Sequence, residues 1–233
     1  MKIKVCGMTD AENIRQVRAL GVDIIGLIFA PKSPRFVPMA SSLAGIIPDY
    51  AVLEGQQKIK IPHVSDQSND LINFCGVFVD DMPQNIVTRV YNYHLSYVQL
   101  HGHESPVMID NLRRTLDPDI APGIKIIKAL PVKTADDLKA TEDYEGHVDL
   151  FLFDAKGPLA GGNGTQYDWD ILQAYDGHTP FLLSGGIGPD DADRIKAFHH
   201  PMFRGIDLNS KFETRPGYKD VNQLREFIEK IRN

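Results

Sequence analysis

Cysteine is scarce in this chain: its 233 residues hold only Cys6 and Cys75. Two thiols do not make a disulfide scaffold, and both are expected to be reduced, which points to an intracellular, cytoplasmic setting. Long apolar runs are missing as well. The longest, Ile24 to Ala30, falls far short of the ~20 residues that cross a bilayer, so no membrane partner is expected. The N-terminus lacks the pattern of a secretory leader, since Met1-Lys2-Ile3-Lys4-Val5 reads as a strand. Basic charge is not in excess: 25 Lys+Arg stand against 31 Asp+Glu, a formal net charge of −6. That balance argues against a nucleic-acid partner, which needs a cationic footprint. What the chain does have is apolar material, 42% of residues, enough to bury a core without staples. The same composition excludes disordered, collagen-like and coiled-coil classes. A soluble globular protein of one domain is expected.

Short β-rich runs alternate with amphipathic stretches along the chain. Strands are predicted at Lys2–Cys6, Asp23–Phe29, Cys75–Asp80, Ser96–Leu100, Ile124–Leu130, Val148–Phe153, Phe181–Leu183 and Phe203–Ile206. Helices are predicted over Asp10–Leu20, Met39–Ile47, Pro83–Tyr93, Glu104–Leu116, Thr134–Tyr144, Trp169–Tyr175, Pro189–Phe198 and Lys219–Ile231. Ile14, Val17 and Leu20 recur at helical spacing, and Pro83 stands in a first turn, where its missing N–H costs nothing. Residues 48–68 are polar, carry Gly55 and Pro62, and read as an insertion. Eight strand–helix units imply parallel crossovers and fit an α/β fold, the (β/α)8 TIM barrel. A doubly wound open sheet is the alternative. It wants a glycine fingerprint after the first strand, and Cys6-Gly7-Met8-Thr9 is not one.

Chemistry in such a barrel sits at the carboxyl ends of the strands. The polar residues there are Cys6, Arg35, Asp80, His101, Asp154, Ser184 and Asp207. Alternation along the sixth strand puts Leu150, Leu152 and Asp154 on one face and the bulky Phe151 and Phe153 on the other, so Asp154 is expected to point into the mouth. Along the first strand, Ile3 and Val5 face the helices and Lys2, Lys4 and Cys6 the interior. An interior Lys4 requires a carboxylate neighbour. Cys75, between Phe74 and Val77, reads as an inert packed thiol. Ser184-Gly185-Gly186-Ile187-Gly188-Pro189 offers bare backbone N–H groups at a helix start, which suits an anion. The loops after strands seven and eight are the recurrent phosphate site of this fold, and Asn209-Ser210 lies in the second of them. His101-x-His103 finds no further ligand at a recognisable spacing and reads as solvated or capping rather than metal-binding.

Taken in order, several segments resemble one family. They are Lys4-Val5-Cys6-Gly7-Met8-Thr9, Gly26-Leu27-Ile28-Phe29-Ala30-Pro31-Lys32-Ser33-Pro34-Arg35-Phe36-Val37, Gly76-Val77-Phe78-Val79-Asp80 and Val98-Gln99-Leu100-His101-Gly102. Gly161-Gly162-Asn163-Gly164, Leu183-Ser184-Gly185-Gly186-Ile187 and Pro216-Gly217-Tyr218-Lys219-Asp220 complete the set. The chain thereby resembles the phosphoribosylanthranilate isomerases of tryptophan biosynthesis. The resemblance implies an intramolecular oxidoreductase acting on a small phosphorylated substrate. N-(5-phosphoribosyl)anthranilate becomes 1-(2-carboxyphenylamino)-1-deoxyribulose 5-phosphate by an Amadori rearrangement, with no cofactor and no metal. By position, Cys6 resembles the family's general base and Asp154 its general acid. Arg35 resembles the group that binds the anthranilate carboxylate, and Asp207 one that orients the sugar. Gly185, Gly186, Asn209 and Ser210 resemble the phosphate cradle.

The chemistry agrees. Opening the sugar ring needs a proton on the ring oxygen, and the Schiff base must then lose one from the second sugar carbon. An acid and a base on strands three steps apart suit that sequence. Ordinary pKa values are about 8.5 for Cys and 3.9 for Asp, so raising the Asp to near 7 requires ~4 kcal/mol, and a coupled titration of the pair is expected. Two departures stand out. Asn209-Ser210-Lys211 replaces the family's usual Gly after a Ser-Ser pair, so either the turn differs or the Lys211 ammonium reaches the phosphate, and Asn163 replaces Thr or Ser in the expected lid. Rival readings are the histidine-pathway isomerase, which wants Asp after the first strand, a metal-dependent pentose-phosphate epimerase, and a non-catalytic phosphate-ligand barrel. The exposed helices show no conspicuous apolar seam, so a monomer is expected, with a homodimer the alternative.

Overall fold

The computed structural model describes residues 1–38, 73–155 and 169–233. The predicted helix Met39–Ile47, the insertion at 48–68, the Gly157–Gly164 loop and Asn163 lie outside the described residues. Eight parallel strands close into a ring: β1 (Lys2–Val5), β2 (Ile24–Ile28), β3 (Asn73–Phe78), β4 (Tyr97–Leu100), β5 (Lys125–Val132), β6 (Leu150–Ala155), β7 (Phe181–Ser184) and β8 (Phe203–Leu208). They follow one another around the barrel in chain order, and β8 returns to β1, pairing Lys4 with Asp207 and Val5 with Leu208. A closed ring excludes the open sheet.

Period-two alternation sorts the apolar side chains into two separate clusters. Ile24, Cys75, Tyr97, Ile127, Leu150 and Leu182 pack inside the barrel. Ile3, Val5, Phe151 and Phe153 belong to the larger cluster between barrel and helices. There Tyr175 meets the Phe153 ring edge-on, with centroids 5.2 Å apart.

The helices follow their caps. Asp10 accepts from the Asn13 N–H at 2.8 Å and starts α1 (Ala11–Arg18), which buries Ile14 and Val17. Pro83 opens α2 (Pro83–Tyr93), and Ser105 caps α3 (Pro106–Leu116). The third helix thus starts two residues later than predicted, because Pro106 takes its first turn and the Glu104 carboxylate is engaged elsewhere. The helices expected at 134–144 and 169–175 are 3-10 helices, Ala135–Tyr144 and Trp169–Ala174. Each buries residues three apart, Leu138 with Thr141 and Trp169 with Leu172, a spacing that eclipses in a 3-10 helix. A short 3-10 turn, Pro189–Asp191, leads into α4 (Ala192–Ala197).

The largest departure is at the C-terminal side of β8. Lys219, predicted to open the last helix, lies in a two-stranded antiparallel hairpin of β9 (Glu213–Arg215) and β10 (Tyr218–Lys219). Asp220 then caps α5 (Val221–Arg232) by accepting from the Asn222 and Gln223 N–H groups. Among the described residues, no helix is long and apolar enough to cross a membrane.

Candidate active site at the carboxyl ends of the strands

The inward parity of β1 carries Lys4 into the barrel, where its Nζ donates to Asp207 Oδ1 at 2.9 Å, with Lys4 fully buried and Asp207 nearly so. The carboxylate that an interior lysine requires therefore comes from β8. Asp207 also accepts from Ser184 Oγ on β7 at 3.3 Å. Burial works against the Lys4 ammonium, but Asp207 and the two cysteines outweigh it and raise its pKa. Cys6 follows β1, and its N–H donates to Leu208 O at 2.8 Å. Its Sγ lies against Gly26 of β2, where a Cβ would come within 2.7 Å of the sulfur. Burial pushes the Cys6 thiol up; Lys4 and Lys219 pull it down, and Asp207 pushes with burial. Lys2, expected inside, is exposed at the other end of the strand.

Asp154 lies across the ring on β6, buried, with His101 Nε2 3.6 Å from its Oδ2. This corrects the reading of His101. It is half-buried and faces the acidic side chain at the mouth, because it continues the inward parity of Tyr97 and Gln99 on β4. His103 turns away to an exposed pairing with Asp80, Nδ1 to Oδ2 3.1 Å, so the two histidines serve different carboxylates. Asp80 itself, at φ +48°, accepts from the His103 N–H.

Arg35 follows β2 and pairs side-on with Glu213 of β9: Nε donates at 2.8 and 3.0 Å and Nη2 at 2.6 Å. Its Cδ seats against Gly7, where φ is +75° and a Cβ would lie 2.6 Å away. Lys219 Nζ bridges Glu213 Oε1 at 2.6 Å and Asn209 Oδ1 at 2.8 Å. Burial lowers the Lys219 pKa despite Glu213. Burial also opposes ionised Glu213, but its bonds from Arg35 and Lys219 prevail and hold it below the usual carboxylate range.

On the adjoining rim, Gly185 and Gly186 take φ +95° and +68°, a backbone conformation that L side chains resist. The elements beyond them are short, a three-residue 3-10 turn and the six-residue α4. Asn209 precedes a 3-10 turn, Ser210–Phe212. Among the described residues, the non-glycine positions with positive φ are Asp80 and His94, so the departure at Lys211 is built without a left-handed residue. Exposed Lys211 runs beside the other loop: a Cβ at Gly188 would meet its Cβ and Cγ at 3.9 Å.

Comparison with known proteins decides among the barrel enzymes that share this layout. The family model of N-(5'-phosphoribosyl)anthranilate (PRA) isomerase matches residues 53–230. The chain belongs to the PRA isomerase family. An N-(5'-phosphoribosyl)anthranilate isomerase of Parabacteroides distasonis is 42% identical over 231 residues, covering 99% of this chain and 93% of its own. Among solved structures, the phosphoribosyl anthranilate isomerase of Thermotoga maritima superposes with a TM-score of 0.75 at 27% identity, covering 100% of this chain and 98% of that one. Another phosphoribosyl anthranilate isomerase structure, solved with reduced 1-(o-carboxyphenylamino)-1-deoxyribulose 5-phosphate, shares the fold at a TM-score of 0.74 and 24% identity, covering 100% and 98% of the two chains.

In this PRA isomerase barrel, strand parity selected the inward-facing Cys6 and Asp154, and position at a strand's carboxyl end selected Ser184 and Asp207. Two others were missed, and His101, named at its strand end, was read as solvated or capping although it extends an alternating strand. Glu213 carried no signal, because its three-residue strand is too short to show a period and Arg35 stands 178 positions away, while Lys219 stood in a family segment but was assigned to a helix.

Proposed function

We propose that the protein converts N-(5-phosphoribosyl)anthranilate into 1-(2-carboxyphenylamino)-1-deoxyribulose 5-phosphate, the Amadori step of tryptophan biosynthesis. The observation that carries this reading is the presence, at one mouth of a PRA isomerase barrel, of a thiol ending β1 and a carboxyl ending β6. Asp154 protonates the ring oxygen as the aminoaldose opens to a Schiff base. Cys6, as thiolate, removes the proton from the second sugar carbon. The enolamine that results tautomerises to the aminoketose. No step calls for a metal or a cofactor.

The other assignments follow the same logic. Arg35 binds the anthranilate carboxylate, and Asp207, anchored by Lys4, orients the sugar. Gly185, Gly186, Asn209 and Ser210 hold the phosphate. Buried thiols resist ionisation, so the cations of Lys4 and Lys219 support Cys6 as a base. We take the chain as one barrel domain, cytoplasmic and monomeric. Both thiols are free, and large exposed apolar side chains are few, chiefly Met82, Tyr91 and Val107 among the described residues.

The test follows the fluorescence lost as phosphoribosylanthranilate is consumed, with the intact protein and with Cys6→Ser and Asp154→Asn. Removing a general acid or base is expected to slow turnover by about 10²–10⁴-fold or more in each variant. The kcat profile of the intact enzyme should show two ionisations. Full activity in either variant refutes the acid–base pair.

A further inference from the structure

We propose that Glu213 is a positioning residue that presents Arg35 to a carboxylate-bearing substrate and so sets the specificity of the site. The inference rests on the reading that Arg35 binds the substrate carboxylate. Glu213 takes the guanidinium by one edge only, accepting from Nε and Nη2. A guanidinium carries five N–H donors in a rigid fork, so this side-on pairing leaves the end-on pair from Nη1 and Nη2 in one plane, the geometry that takes a second carboxylate bidentate.

Glu213 is itself fixed. Besides Arg35 it accepts from Lys219 Nζ at 2.6 Å and from the Gly217 N–H at 3.2 Å. Fully buried Lys219 is held in turn by Asn209 Oδ1, while its backbone exchanges hydrogen bonds with Asn13: N to Oδ1 at 2.7 Å and Nδ2 to O at 2.9 Å. The carboxylate therefore cannot follow a wandering arginine; the arginine must conform to it. Charge points the same way, since Arg35 and Lys219 bring two cations to the single Glu213 carboxylate. Gly7 ties the assembly to the base, since it follows Cys6 and leaves room for both Arg35 Cδ and Asn209 Oδ1.

The experiment measures binding by calorimetry of two ligands: the reduced product analogue 1-(o-carboxyphenylamino)-1-deoxyribulose 5-phosphate, and its phenylamino counterpart without the carboxylate. Glu213→Gln is expected to weaken the first by about 10- to 100-fold and the second by no more than about twofold. Arg35→Met should discriminate in the same direction. Equal weakening of both ligands by Glu213→Gln, or of neither, overturns the positioning role. If Arg35→Met discriminates and Glu213→Gln does not, the carboxylate reading stands and the role of Glu213 falls. If Arg35→Met fails to discriminate, the reading of Arg35 falls first and this proposal with it. Should Glu213→Gln not fold, Glu213→Asp, which keeps the charge and shortens the reach, is judged by the same selectivity.

Discussion

Two lysines are fully buried in strands of one barrel wall, and they face opposite sides of it. Lys4 on β1 points inward to Asp207. Lys128 on β5 shares the outer face of Ile126 and Leu130, pairs with Glu104 at 2.8 Å and lies 5.4 Å from the centre of the Tyr144 ring. Both pairs are buried and of nearly the same length, 2.9 and 2.8 Å. Their neighbours differ. Lys4 sits among Cys6, Asp207 and Ser184, groups that hold or move protons. Around Lys128 are backbone groups: Lys128 donates to Gly102 O at 2.6 Å, and Glu104 accepts from the N–H of Asp80 and of Gly102 at 3.0 Å each. One pair prepares a reactive surface; the other cinches the loops that frame it. A buried ion pair does not by itself mark function, and the side of the wall it occupies does.

Breaking either pair at one partner gives the largest expected effect. Lys4→Met and Lys128→Met each strand a buried carboxylate and should lose about 3–5 kcal/mol in urea unfolding. Activity should separate them. Measured where each variant is still folded, Lys128→Met should keep kcat within about tenfold of the intact enzyme, while Lys4→Met should lose about a hundredfold or more as Asp207 and Cys6 lose their cation. Equal kcat in the two variants would erase the distinction.

Removing both partners sharpens it. Lys4→Met/Asp207→Leu discards a whole ion pair and should recover most of the lost stability without activity. Lys128→Met/Glu104→Leu should recover less stability, because the N–H groups of Asp80 and Gly102 lose their acceptor at about 1–3 kcal/mol when buried, yet regain more turnover. Denaturation and assay of the two double variants should therefore rank them in opposite orders.

A smaller effect lies beneath Lys4. Burial pushes the Cys75 thiol up to about 12 from an ordinary 9.0. An unfolded chain then releases this proton first as pH rises, so the contribution to stability is complete below about pH 9 and is lost between there and about 12. Cys75→Ala should flatten the fall in melting temperature over that window. Lys4→Met, which removes a cation favouring the thiolate, should extend the window at its upper end, and Lys128→Met should leave it in place.

The barrel was legible because alternation is a local property. Leu150, Leu152 and Asp154 against Phe151 and Phe153 need no knowledge of the rest of the chain, and each strand read this way carries its terminal side chain to the mouth. The same rule reached Cys6, while Asp207 was named by its place after a strand. It did not reach Arg35's partner, because Glu213 stands 178 positions away in a three-residue strand. The 3-10 helices were misread for a related reason: polar Thr141 occupies a buried position, and a pattern of apolar residues does not register it. Asp80 was at the correct strand end, yet its positive φ turns it to His103, a backbone fact that residue type does not announce.

The hairpin of β9 and β10 joins the two halves of the chain's history. Thr9 Oγ1 donates to Gly217 O at 3.0 Å, and Asn13 holds Lys219 at a separation of 206 positions. The surroundings of Cys6 thus draw on segments 206 positions apart. Until Lys219 has emerged, the thiol has neither the second cation that favours its ionisation nor the arginine clamp beside it. A chain clipped before Lys219 therefore lacks both supports of its base.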